Sequence, residues 1–70
     1  MDGGVSIEAF AETTGIELPD GAYETVAGHV ISVLGRIPEP GEQVAVTGGT
    51  LEVTEVVGNR ITRLTVHRDG

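Results

Sequence analysis

The hydrophobic period of this chain changes once, at Gly41, and that change limits the folds open to it. Before Gly41 the apolar residues recur at helical spacing; after it they alternate as in strands. Helical patterning followed by strand patterning, rather than alternating units, predicts an α+β domain with helices gathered on an antiparallel sheet. The chain has 70 residues, room for one such domain spanning 1–70. A domain this small buries only ~60% of its unfolded surface, so an enclosed substrate cavity would consume much of its core. It contains no cysteine, hence no disulfide, no thiolate nucleophile and no Cys-ligated zinc. An independent enzyme is not expected; a module of a larger protein is.

Two helices are predicted upstream. The first covers about Ser6 to Thr14. Ser6 is a natural N-cap, Glu8 suits the positive end of the helix dipole, and Ile7, Phe10, Ala11 and Thr14 share one face. Gly15 is its stop. The second covers about Ala22 to Leu34, with Asp20 as its N-cap and a stripe of Tyr23, Val26, Ala27, Val30 and Leu34. His29 falls opposite or at the edge of that stripe, which predicts a solvated or edge imidazole. Gly28, mid-helix, reads as a close packing contact, since glycine there costs roughly 1 kcal/mol against alanine. Gly35 ends the helix and Pro38 forbids its resumption.

Three strands are predicted downstream. Val44 and Val46 alternate with polar or small residues, Gly48-Gly49 reads as a two-residue hairpin turn, and Leu51 and Val53 continue the alternation. The phase slips before Val56, predicting a β-bulge near Glu55, and again after Ile61, predicting another near Thr62-Arg63. Gly58-Asn59-Arg60 is the second turn. The expected architecture is a two-layer sandwich: two short helices on one face of a small antiparallel sheet.

Charge narrows the function. Eleven acids against four bases give a net charge of −7; residues 1–35 hold six of the acids and no base. Phosphate binding needs a basic patch, so a nucleic-acid partner is excluded, as is adsorption to an anionic membrane. No apolar run approaches the ~20 residues that cross a bilayer, and no leader pattern opens the chain. Met1-Asp2-Gly3-Gly4 has the look of an appended start.

The candidate sites are few. No glycine cluster sits in a strand–GxGxxG–helix or GxxxxGK[ST] context, so the glycines read as turn residues. Ser6 and Ser32 lack a nucleophile elbow. His29 and His67 lie on different elements without metal-ligand spacing. Asp20, Glu24, Glu39, Glu42, Glu52 and Glu55 offer oxygens to a hard cation, with Glu52 and Glu55 the candidates for a weak surface site, but no loop gathers six ligands. Arg36 is placed to cap the second helix while facing Glu39 or Glu42. Arg60, Arg63 and Arg68 fall on the polar side of the last hairpin.

Four spaced motifs resemble one family. They are Gly15-Ile16-Glu17-Leu18-Pro19-Asp20; Tyr23-Glu24-Thr25-Val26-Ala27-Gly28; Leu34-Gly35-Arg36-Ile37-Pro38-Glu39-Pro40-Gly41-Glu42; and the hairpin from Leu51 through Gly58 to Val66. In this order they resemble the CorC/HlyC-type transporter-associated domain, which closes the cytosolic end of bacterial magnesium and cobalt efflux proteins once called haemolysin-like. The resemblance implies a non-enzymatic accessory or regulatory domain on the cytoplasmic side of the inner membrane. It would act through contacts with its own CBS and membrane domains or through self-association. The family fold is also similar to a flavoenzyme subdomain, so the alternative is a small-ligand module for flavin, adenine nucleotide or a weakly held divalent cation; flavin rests on fold analogy alone. No catalytic, cofactor or metal residue is assigned by the resemblance. Thr14 departs from the apolar residue usual in the family. The strand that normally precedes the first helix is reduced to Asp2-Gly3 and Val5, so the chain is expected to be cut short there. A bare strand edge, marginal stability and a two-fold homodimer through that edge would follow, unless Asp2 to Val5 forms a short strand that suffices and leaves a monomer.

Overall fold

The computed structural model describes residues 1–19, 21 and 23–69. In chain order the elements are α1 (Ile7–Thr14), α2 (Val26–Leu34), β1 (Gln43–Val46), β2 (Gly49–Val57) and β3 (Arg60–Arg68). The strands make one antiparallel sheet in the order β1-β2-β3. Its inner face contributes Val44, Leu51, Val53, Ile61 and Leu64 to a core shared with Phe10 of α1, Val26 and Val30 of α2, and Ile16 and Leu18 of the connection. The α+β sandwich is therefore the observed fold.

Helix α1 forms as its sequence requires. Ser6 is extended, and its hydroxyl accepts from the Ala9 N–H at 3.1 Å. Gly15 closes the other end in the left-handed region, its N–H bonded to the Ala11 carbonyl at 2.8 Å. Phe10 is fully buried, with Ile7, Ala11 and Thr14 half-buried beside it. Thr14 is tolerated on this inner face because its hydroxyl is spent on the backbone. It donates to the Phe10 carbonyl at 2.8 Å and accepts from the Ile16 N–H at 3.1 Å.

Helix α2 starts later than its stripe suggests. Its N-cap is Thr25, whose hydroxyl accepts from the Gly28 N–H at 3.1 Å; the expected cap, Asp20, lies outside the described residues. The backbone before the cap is committed elsewhere: Ile7 N–H bonds to Glu24 O at 3.1 Å, and Val26 N–H to Val5 O at 3.0 Å. That bridge between the entries of the two helices holds Glu24 and Thr25 out of the helix. Gly28 is a packing contact, but against the helix's own lead-in: a Cβ there would lie 3.1 Å from the Tyr23 Cβ.

The sheet carries one correction and two agreements. The first turn is Thr47-Gly48, because Val46 pairs with Gly49, which belongs to β2. Gly49 passes so close to β3 that a Cβ would come within 2.3 Å of the His67 carbonyl oxygen. Both bulges are present and face each other: pairing runs Val53↔Leu64, Glu55↔Arg63, Val56↔Ile61, leaving Thr54 extra on β2 and Thr62 extra on β3. Each adds one residue, so the ladder beyond them regains its register.

At the N-terminus the structure follows the alternative of a short covering strand. Met1 and Leu64 exchange backbone hydrogen bonds, each 2.8 Å, Gly3 N–H bonds to Thr62 O at 3.2 Å, and Asp2 bridges Arg63. Residues 1–3 thus run as a short strip along the outer edge of β3, where a bare edge was expected. Gly3 is buried between β3 and α2, donating to the first and accepting from the Ala27 N–H at 3.1 Å. A Cβ on Gly3 would sit 2.2 Å from the Ile61 carbonyl oxygen.

Candidate functional site

Three separate places hold the candidate site residues that are paired or buried. On the solvent face of the sheet, Glu52 of β2 lies across from Thr65, and His67 of β3 is its diagonal neighbour. Their side chains meet, His67 Nε2 to Glu52 Oε1, at 2.9 Å. Glu55 does not join them, because the bulge turns it toward Thr62, whose hydroxyl donates to its carboxylate at 2.6 Å. The two expected cation ligands are thus held apart on different partners. Among the described residues, no group of three or more His, Asp or Glu side chains is placed to hold a metal.

At the far end of α2, Arg36 and Glu42 form a two-pronged pair, one arm at 2.8 Å. Glu42 also accepts from the Glu39 N–H at 2.6 Å. The Arg36 hydrogen bond, supported by that backbone donor, holds the Glu42 carboxyl below its ordinary pKa, while the guanidinium is pushed up in turn. Arg36 was expected to cap α2. Instead the Gly35 N–H closes the helix on the Ile31 carbonyl at 2.8 Å, and the guanidinium clips the following loop. Glu24 is exposed beside Tyr23 and Glu8 in a groove of about 600 Å³; Asp20, the remaining oxygen candidate, is outside the described residues. Arg60 and Arg63 are exposed, and Arg68 donates to the Thr14 carbonyl at 3.2 Å, tying β3 to the end of α1.

The third place is the interior, and here the expectation of a solvated or edge His29 fails. Its side chain points inward, leaving the residue 4% exposed, and its Nδ1 is buried without a partner among the described residues. The Tyr23 ring packs edge-on to the imidazole, centroids 4.9 Å apart. Burial pushes its pKa below the ordinary histidine value. The buried face of α2 is Val26, His29 and Val30. The stripe drawn through Tyr23, Ala27 and Leu34 put His29 at its edge, whereas the helix begins only after Tyr23 and turns His29 inward. His67, by contrast, is exposed as expected. Ser6 is spent as a helix cap and Ser32 is exposed on α2. Gly41, Gly48 and Gly58 have positive φ and serve turns.

Known proteins supply the remaining evidence. The family model described as the transporter associated domain, CorC_HlyC, matches residues 1–70. A UPF0053 protein of Mycobacterium tuberculosis is 45% identical over 47 residues, covering 67% of this chain and 10% of that protein. The chain therefore spans about a tenth of the length of this curated relative. Among solved structures, a CorC_HlyC domain from a Xylella fastidiosa hemolysin, in complex with Mg and Mn ions, superposes with a TM-score of 0.89 at 36% identity, covering 100% of this chain and 85% of that one. A Neisseria meningitidis domain, described as a region associated with a putative Mg and Co transporter, gives 0.89 at 28% identity, over 99% of this chain and 85% of that one. The family match extends over the N-terminal strip, both helices and the bulged hairpin alike, and the chain belongs to the CorC_HlyC family of transporter associated domains.

Proposed function

We propose that this domain is a non-enzymatic accessory module of a magnesium and cobalt efflux protein of the CorC/HlyC type. It sits on the cytoplasmic side of the membrane and modulates transport through contacts with CBS and membrane domains or with a second copy. The observation that carries this reading is proportion: one family domain fills the chain, yet it spans only about a tenth of the M. tuberculosis relative. Two features of the molecule support it. No helix among the described residues is long and apolar enough to cross a membrane, and on this reading the ion path belongs to other parts of such a protein. Of the candidate carboxylate ligands, Glu42, Glu52 and Glu55 are each engaged by a neighbour.

The test is deletion of this domain from the full-length protein in cells challenged with Co²⁺. Growth that stays above the transporter-null strain but departs from wild type supports an accessory role. Growth equal to the null strain assigns the domain to the transport step itself.

A second reading has one observation in its favour. The Xylella relative was solved in complex with Mg and Mn ions, and the Glu52–His67 pair is where this chain could offer a carboxylate and an imidazole together. Two ligands on an exposed face make a weak site, and calorimetric titration with Mg²⁺ and Mn²⁺ measures it.

A further inference from the structure

The sheet has two outer edges, and they are treated differently. Residues 1–3 cover the edge of β3 from Thr62 to Leu64. The edge of β1 has no strand beside it among the described residues. Val44 and Val46 pair inward with Leu51 and Gly49, so by antiparallel alternation the N–H and C=O groups of Gln43 and Ala45 face outward. Exposed edges are usually guarded by lysine, proline or a bulge. From Gln43 to Leu51 there is no charge and no proline, and the β1–β2 pairing runs without a register shift.

The surroundings of this edge share its neutrality. A groove of about 410 Å³ runs along it, lined by Pro19, His29, Val33, Ala45, Val46 and Thr47. None of these carries a charge while His29 is neutral, and burial favours the neutral form. The rest of α2 is also uncharged from Val26 to Gly35. Val33 is 57% exposed at the groove wall, the second most exposed of the large apolar side chains. In a molecule of charge −7, the β1 edge and the groove beside it are an uncharged surface on which two copies can meet. A strand paired antiparallel with its own copy is complementary to itself by symmetry, so one patch suffices for a closed two-fold contact.

We infer that the β1 edge and its groove form a self-association surface, on which a second copy pairs its own β1 antiparallel about a two-fold axis at Ala45. The two sheets then join into one of six strands, with helices on the same side and the Val33 side chains closing over the seam. This deepens the proposed role by naming one of its contacts, and rests on that reading only for its biological purpose. The interface is small, so association is weak and concentration-dependent.

The test is sedimentation equilibrium of the 70-residue chain across micromolar to millimolar concentrations, at low and high salt. A monomer–dimer equilibrium that does not weaken with added salt is expected, since the seam is neutral while the bodies repel. Ala45→Lys and Val33→Glu should each raise the dissociation constant roughly 10-fold or more, as a loss of ~1.4 kcal/mol would give; Thr65→Lys, on the exposed face of β3, should leave it unchanged. The chain has no cysteine, so Ala45→Cys should form a disulfide-linked dimer on mild oxidation and Thr65→Cys should not. Circular dichroism on each variant verifies the fold. A monomer at every concentration, or a dimer indifferent to both Ala45→Lys and Val33→Glu, overturns the inference. Either result leaves the Co²⁺ deletion experiment, and the accessory reading, to be decided separately.

Discussion

One buried imidazole contributes to the acid sensitivity of this domain. His29 is buried with an unpartnered Nδ1, and burial alone lowers its pKa. The unfolded chain therefore binds a proton more readily than the folded one. Stability is at its full value above the ordinary histidine pKa of ~6.5 and falls as pH drops below it, levelling off once the folded-state pKa is passed. Urea midpoints measured from pH 8 to pH 5 should fall over that window, and His29→Leu should flatten the curve there. An unchanged slope in the variant would transfer the effect to other groups. Glycine 49 is the second residue-level test. A methyl group at that position meets a backbone oxygen at 2.3 Å, which no side-chain rotation relieves. Gly49→Ala should cost about 2–3 kcal/mol, near the top of the overpacking range, read from denaturant midpoints. A cost below 0.5 kcal/mol, the range of ordinary surface substitutions, would mean the strands separate easily at this point.

At the scale of elements, small features decide which segments hold. Helix α1 has eight residues and α2 nine, both too short to persist alone in water. Each depends on its cap and on what it buries. Thr25→Ala should cost about 0.5–2 kcal/mol, and Phe10→Ala about 3–5 kcal/mol. The latter is comparable with the ~4–10 kcal/mol expected for a whole domain of this length, so thermal unfolding should show the first variant shifted and the second largely unfolded. The difference between the two also explains what was legible in advance. Hydrophobic period and turn glycines located both helices, all three strands and both bulges, because each leaves a mark in its own few residues. The start of α2 was misplaced because Tyr23 continues the stripe while the bonds that hold Glu24 and Thr25 out of the helix come from Val5 and Ile7. The turn at Thr47-Gly48 was misread by one residue because Gly49 answers to β3, not to the turn. The Glu52–His67 pair was missed for a related reason: it exists only once the two bulges cancel and the register is restored.

For the molecule as a whole, the distribution of charge matters more than any cluster of ligands. Glu52 and Glu55 face different partners, and among the described residues nothing assembles three metal-binding groups. Mg²⁺ titration by calorimetry should reveal no site tighter than roughly the millimolar range of loosely built modules. A micromolar site abolished by Glu52→Gln or Glu55→Gln would instead make the ion a specific ligand. Residues 1–3 reach the same scale from the other direction: they close one edge of the sheet, leaving β1 as the open one among the described residues. The proposed role is modulation of a transporter whose ion path lies outside this domain. The direct measurement is initial efflux rate against internal Mg²⁺ concentration, in vesicles holding the full-length protein with or without this domain. The account predicts that the maximal rate survives the deletion while the half-activating concentration moves by ~5-fold or more, the scale of a regulatory coupling. Complete loss of transport, or a superimposable curve, would contradict it.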